Sequence, residues 1–513
     1  MIRRTFIFAA VLSWASLGWG DGWQRLVILH TNDIHGHLPA EEAWWINPNF
    51  PPPIGNAPGA ASVIKEERAQ ASSNGWGLLL LEGGDIFQGT PTGEFSKGMA
   101  VIDYMNAMGY DAMVVGNHDF DKGQVVLQDL IQRARFPVLC ANIVDSATGT
   151  IPDYFKPYVI VERAGLRIGI FGLGLPSLRG VVKPEDLKGL DIRPVVQTAR
   201  WTVDTLRAQG ADLVIGLDHI GYYGDKVLAD SVPGIDVIVG AHSHSGLRQA
   251  YEDPANHTII VQTFGNLSTI GRLELNIDPG TKQIVGYRSE LRELFTEDVP
   301  KDTATAAAVK RWTDQAEAGF DSVIGYSSSD LARVGGGKES ALGDLIADAI
   351  REASGADFAF QNSGGIRADI RKGEVTFRDL YQVDPFGNTI VTMDLTGPQV
   401  MRLLETSVLG FHGIFQVSGL KMVYDNRKPI WSRVTEATVD GKSLDLDKTY
   451  KIATNDFLAA GGGYYKIFQE GANRDDTYKQ VRQAMVDYFR KHSPLDVRIE
   501  GRIKEIGGGR ASR

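Results

Sequence analysis

The chain has 513 residues, 43% of them hydrophobic and 23% charged, with a net charge of −10 and one cysteine, Cys140. That length exceeds what one core usually holds and predicts two domains. The acidic balance, with no long basic run, excludes nucleic acid as the natural partner but leaves room for a small anionic substrate, and a single cysteine excludes both an internal disulfide and a thiolate metal cluster.

Residues 1–20 read as a secretory signal peptide. Arg3 and Arg4 open it, an apolar run follows over 6–17, and Gly18 and Gly20 suit cleavage. The run is short for a bilayer, which takes ~20 apolar residues, and no later stretch is long and apolar enough. The expectation is an exported, periplasmic or secreted chain without a stable membrane anchor.

Strands are predicted at 24–30, 77–81, 111–115, 137–141, 167–171, 212–216 and 235–239, with helices at 60–72, 100–108, 123–134 and 196–209 between them. Three further strands, 257–263, 270–276 and 284–294, follow. This pattern predicts an α/β domain over 24–300 with a second strand-rich layer. Residues 40–57, with three consecutive prolines, read as an irregular loop. A polar, Ala-rich helix at 301–321 suits a connector, with a hinge ending near 325. A second α/β domain, 326–506, has strands at 358–361, 389–395, 415–424 and 450–454 and helices at 340–353, 397–407 and 478–490. The tail 507–513 is expected to be disordered.

The chemistry sits just after the strands of the first domain. Asp33 and His35 follow the first, Asp85 the second, Asn117 and His118 the third, His219 the fourth, and His242 and His244 the fifth. Seven of the ten histidines lie at or beside these ends: His30, His35, His37, His118, His219, His242 and His244. The carboxyl ends of strands in an open α/β sheet share one edge. Each motif alone also reads as a polar turn or a helix cap. Five such ends in one domain favour a metal site. Imidazole, carboxylate and amide oxygen together suit Zn²⁺ or Mn²⁺. The count is enough for two divalent ions, with Asp85 the natural bridge.

Asn32-Asp33-Ile34-His35-Gly36-His37, Gly84-Asp85, Gly116-Asn117-His118-Asp119-Phe120-Asp121, His219 and Gly240-Ala241-His242-Ser243-His244 resemble the 5'-nucleotidase/2',3'-cyclic phosphodiesterase family of exported metallophosphatases. The resemblance implies a four-layer αββα metallophosphatase sandwich followed by a substrate-binding domain. It implies one metal on Asp33, His35, Asp85 and His244, and another on Asp85, Asn117, His219 and His242. His118 and Asp121 would be the catalytic pair. In the second domain, Asn362-Ser363-Gly364-Gly365-Ile366-Arg367 resembles the family's arginine loop. Arg367 is a candidate to grip a phosphate or carboxylate, with Arg371 a weaker one. Phe415 and Tyr465 match two rings that sandwich a nucleobase in the family, and Ile414 is the alternative to Phe415.

Two departures bear on substrate choice. Gly461-Gly462-Gly463-Tyr464 stands where members often have Gly-Gly-Asp-Gly, and 408–414 lacks an arginine that members often carry. The reading is a hydrolase of 5'-nucleotides, with nucleotide sugars and 2',3'-cyclic nucleotides as further substrates. The rivals are a thiosulfohydrolase of the sulfur-oxidation type and a nucleotide- or metal-binding protein without turnover.

Overall fold

In the strand Gln24–Thr31, Leu26 and Ile28 point to one side and Val27 and Leu29 to the other, and all four are buried. Side chains alternate along a strand, so this one has a core on each face. That arrangement sets the plan of the first half. The computed structural model describes residues 22–43, 46, 50–333, 338–409 and 413–506. The expected signal segment 1–20 and the tail 507–513 lie outside the described residues.

Gln24–Thr31, Gly77–Glu82, Ala112–Val114 and Val138–Leu139 run parallel, and Thr269–Ile277 and Ile284–Glu293 complete a six-stranded sheet on the antiparallel side. A second six-stranded sheet has Leu166–Leu173, Leu213–Asp218, Val237–Val239 and Ile259–Val261 parallel at its centre. The inner faces pack together through Leu26, Leu79, Val114, Ile170, Ile215 and Val239. Helices Ala57–Asn74, Met99–Met108 and Gly123–Arg133 cover the first sheet, and Val195–Ala208 and Tyr222–Ser231 the second. The result is the expected four-layer αββα sandwich.

The second half centres on a five-stranded sheet. Its order is Phe415–Ser418, Phe358–Asn362, Thr449–Asn455, Thr389–Thr396, Ala472–Gln480. Helices Ala341–Ser354 and Val481–His492 pack on one face. Helix Gly397–Ser407 and a four-stranded sheet pack on the other.

Strands Tyr158–Arg163 and Val434–Val439 and helices Pro91–Ser96 and Phe377–Val383 were not expected, the helix expected at 478–490 is Val481–His492, and three further differences have clear physical reasons. The run 415–424 is two strands, Phe415–Ser418 and Lys421–Tyr424, in different sheets, because Gly419 turns the chain at φ 86°. Ala472–Gln480, an edge strand with mostly exposed polar side chains, carries no apolar alternation to announce it. The connector helix is shorter, Thr303–Ala316, and packs on the first-half helices through Val309 and Trp312. It is part of the first body, and 317–322 is the link that remains before the strand Val323–Ser327.

His30, counted with the strand-end histidines, lies inside the core instead. It pairs across the sheet with Gly271, burial lowers its pKa to about 3, and a methyl group on Gly271 would lie 2.0 Å from its Nε2. Gly271→Ala is therefore expected to destabilise the protein by about 1–3 kcal/mol through overpacking. A denaturation midpoint equal to that of the parent would show that His30 moves aside.

Candidate metal centre

The parallel strands of both sheets end at a common edge, and the chain turns sharply there. Asp33, His35, Asp85, His242 and His244 have φ of 51°, 49°, 56°, 69° and 49°. Left-handed backbone is uncommon outside glycine, though Asp and His tolerate it better than most, and such outliers cluster at functional sites. Backbone bonds hold these turns: Asp33 N–H donates to Gly84 O at 2.9 Å and His35 N–H to Asp85 O at 3.0 Å. The second and third strand ends approach so closely that a methyl group on Gly116 would lie 2.2 Å from Asp85 Oδ1.

The turns aim the side chains at two points. Asp33, His35 and His244 form one group and Asp85, His219 and His242 another, with the ligand atoms of each group within 4.8 Å of one another. His35 Nε2 lies 3.3 Å from His244 Nε2, and His244 Nε2 lies 3.5 Å from Asp33 Oδ1. In the second group His219 Nε2 lies 3.2 Å from Asp85 Oδ2 and 3.2 Å from Asn117 Oδ1.

The surroundings fit divalent cations. His35 Nδ1 and His219 Nδ1 each lie 2.6 Å from a backbone carbonyl, of Gln88 and Gly83. Donating there directs the Nε2 lone pair inward, the usual arrangement of a metal-ligating histidine. Asp33 Oδ2 accepts from Asn32 Nδ2 and from His242 N–H, while its buried Oδ1 has no hydrogen-bond partner. Burial lowers the pKa of His35 and of His244, and it takes that of His242 down to about 3, which favours the neutral, ligating form of these rings. Burial also pulls His219 down, but the Asp85 carboxylate outweighs it and raises the pKa to about 10. Cation binding there is expected to release that proton.

His118 sits in the single turn His118–Phe120, and its N–H donates to Asp85 Oδ1 at 2.7 Å. Its Nδ1 lies 2.7 Å from Asp121 Oδ2. Burial lowers its pKa, but Asp121 and Asp85 outweigh that and hold it above the usual value. Asp119, between them, was not assigned a role from sequence. It accepts from Gly116, Ile86 and Asp85 N–H groups and ties two strand ends together. His37 pairs with Glu41 instead.

A cavity of about 360 Å³ opens over His118, Asp121, Asn117 and His242. Its other wall comes from the second half, with Asn362, Arg367, Phe386 and Tyr465. Arg367 has no carboxylate in ion-pair contact among the described residues, and its charge is felt by His35, His118 and His244. Arg371 does not line this cavity and lies 3.5 Å from Asp330. The expected pair Phe415 and Tyr465 is in direct ring contact in this structure rather than spaced to flank a base. Phe415 is 0% exposed, and its ring centroid lies 4.2 Å from that of Tyr465. A flat base needs roughly 3.5 Å on each face, so rings that flank it stand about 7 Å apart. Phe415 is a core residue, as its position in the alternating strand allows. Ile414 is buried as well.

Two family models match the chain: calcineurin-like phosphoesterase over residues 26–246, and the 5'-nucleotidase C-terminal domain over residues 323–470. A 5'-nucleotidase of Vibrio cholerae is 30% identical, over 93% of this chain and 92% of its own length. The crystal structure of a 5'-nucleotidase precursor from Thermus thermophilus superposes with a TM-score of 0.86 at 31% identity, over 94% of this chain and 100% of that one. Sulfate thiohydrolase SoxB of Thermus thermophilus, at 21% identity and a TM-score of 0.81 over 94% of this chain and 97% of its own, shares the fold.

Asp85 lies beside both donor groups, and its charge acts on His35 and on His219. Asp85→Asn is expected to weaken metal binding at both positions. Elemental analysis after dialysis would check this, and full retention of two metals per chain would remove Asp85 from the centre.

Proposed function

Because the chain belongs to the calcineurin-like phosphoesterases that carry a 5'-nucleotidase C-terminal domain, and is thereby a metal-dependent phosphoester hydrolase, we propose that it releases phosphate from 5'-nucleotides at a dinuclear centre. The observation that carries this reading is convergence. His118, Asp121 and Arg367 line one cavity together with His242 of one donor group, and the other donor group lies beside it, with the rings of His35 and His118 5.4 Å apart. Asp33, His35, Asp85 and His244 would hold one cation, and Asp85, Asn117, His219 and His242 the other, with Zn²⁺ or Mn²⁺ the ions this donor set suits. Such a pair of ions supplies Lewis-acid stabilisation of phosphoryl charge and an activated water.

The chain's own residues do the rest. Arg367 binds the phosphate, which a guanidinium can grip through two parallel bonds. His118, held cationic by Asp121, keeps Nε2 as the donor for charge that develops on the phosphoryl group or leaving oxygen. Positioning and electrostatics are most of what phosphoryl transfer demands. Asn362 and Tyr465 line the second-half wall of the cavity and are proposed to contact the organic part. Nucleotide sugars and 2',3'-cyclic nucleotides are the further substrates to assay. The thiosulfohydrolase reading is not favoured, since that likeness carries the fold alone. Export rests on the sequence of residues 1–20, and none of the described helices is long and apolar enough to cross a membrane.

Phosphate release from adenosine monophosphate, with no sulfate released from a thiosulfonate, is the expected result of a substrate panel. His118→Ala is expected to lower kcat by ~10²–10⁴-fold with metal content unchanged. A kcat near that of the parent would remove His118 from the mechanism.

A further inference from the structure

A short loop of the second half reaches the catalytic cavity directly after the helix Phe377–Val383. It is held at both ends. Arg482 Nη1 donates to Asp384 O at 2.7 Å, and Val481 N–H donates to Asn388 O at 2.9 Å. Between these anchors Gly387 takes φ of 69°, a turn that glycine makes without strain. Phe386 stands on this loop and is half-buried. Among the described residues it belongs to none of the hydrophobic clusters. Its ring therefore serves no core and is available to the cavity it lines.

Its neighbours there are two groups of the chemistry. The Phe386 ring centroid lies 5.9 Å from that of His118, with the planes tilted by 36°. Arg367 Cζ lies over the same ring, 5.9 Å from its centroid. Arg367 N–H also donates to Val383 O at 2.9 Å, so the arginine and the loop share a support. Besides Phe386, the His118 ring meets Asp121 at Nδ1 and the ring of His35, edge to face at 5.4 Å. One hydrogen bond fixes one atom of an imidazole and leaves the ring free to rock about it. A second ring packed beside it removes that freedom and keeps water from that side. For an imidazolium the attraction of an aromatic quadrupole for a cation adds to the packing.

We propose that Phe386 is a positioning residue for the hydrolysis: a ring contributed by the second half that holds the His118 imidazole of the first half in its working orientation. This rests on the role given to His118 above. Phe386 acts through the imidazole and not on the organic part of the substrate, so it serves different phosphoesters alike. Because it comes from the other half, the donor is fully oriented only while the halves are together, which ties their closure to the chemical step.

The test measures kcat and KM for adenosine monophosphate and for glycerol phosphate, an ester without a ring. In Phe386→Leu, kcat is expected to fall about tenfold, and by the same factor for both substrates, the size of one well-placed cation–aromatic contact. Phe386→Tyr keeps the ring face and is expected to retain the parent kcat. Phe386→Leu added to His118→Ala is expected to lower kcat no further. Metal content and thermal unfolding midpoints identify folded variants, and Phe386→Met replaces Phe386→Leu should that one fail to fold. A parental kcat in Phe386→Leu, with His118→Ala impaired, would overturn this inference alone. So would a change confined to KM for adenosine monophosphate, or an undiminished further loss in the His118→Ala background. A parental kcat in His118→Ala would overturn the role of His118, and this inference with it.

Discussion

Everything in the first half depends on crowding buried carboxylates and imidazoles at the edge where the parallel strands end. Asp33, Asp85 and Asp119 are almost wholly inaccessible to solvent, as are His35 and His219. Removing such groups from water is expensive unless each is paired or bound to a cation. The protein meets part of that demand with its own atoms. Asn32 and the His242 N–H serve Asp33, three backbone N–H groups serve Asp119, and His219 and the His118 N–H serve Asp85. What is left over, such as Asp33 Oδ1 and the facing Nε2 atoms of His35 and His244, is the part that cations would satisfy. The apolar interface between the two sheets, with Ile215, Leu217 and Val239 fully buried, is rigid enough to hold five non-glycine residues in left-handed backbone above it.

Much of this centre was legible in the sequence because each part is short and contiguous. A strand, then two or three polar residues at its end, reads as a unit, and the common edge of a parallel sheet brings the units together. The limits were physical too. In Gly116-Asn117-His118-Asp119-Phe120-Asp121 every polar residue looks available, but a single helical turn points Asp119 back to the backbone and leaves His118 against Asp121. His30 shares the composition of the ligands, yet it lies one pleat too early and packs under Gly271. Phe415 shows the limit of alternation as a signal. Period-two patterning says that a side chain faces one side of a sheet, not whether a cavity or a core lies there. Lys183 and Asp456 are 273 positions apart, and nothing local in either stretch marks them as partners.

The second half obeys a different constraint. Its sheet is covered on both faces, which fixes the core, but the edge strand Ala472–Gln480 is held by backbone pairing to Thr389–Thr396 and by a few polar contacts such as Thr389 to Asp476. Charged side chains on an edge strand discourage pairing with another chain, so this polarity has a use beyond solubility. It is also why the strand escaped sequence reading. An edge that needs no apolar face leaves no alternation to find.

The contacts between the halves are of another kind from those within them. Among the described residues none of the hydrophobic clusters draws its buried residues from both: three use residues up to Val309, one begins at Ile324 and one at Phe358. What joins the halves is a handful of polar pairs and isolated ring contacts, such as His118 with Phe386 and Gly180 with Tyr464. Lys183 meets Asp456, and the Tyr381 hydroxyl donates to Thr90 O at 3.4 Å. Arg378 pairs with Glu317 and Asp321 in the link, and Glu317 also accepts from Thr92. Bodies joined through such an interface move relative to one another by default. Since the helix Thr303–Ala316 is packed onto the first half, any hinge would fall in the short link after it, where Gly319 already has φ of 84°. Separation at the Lys183–Asp456 contact would open the cavity between the halves, and the same ion pair, re-formed, would return Arg367 to the wall that carries His118 and Asp121.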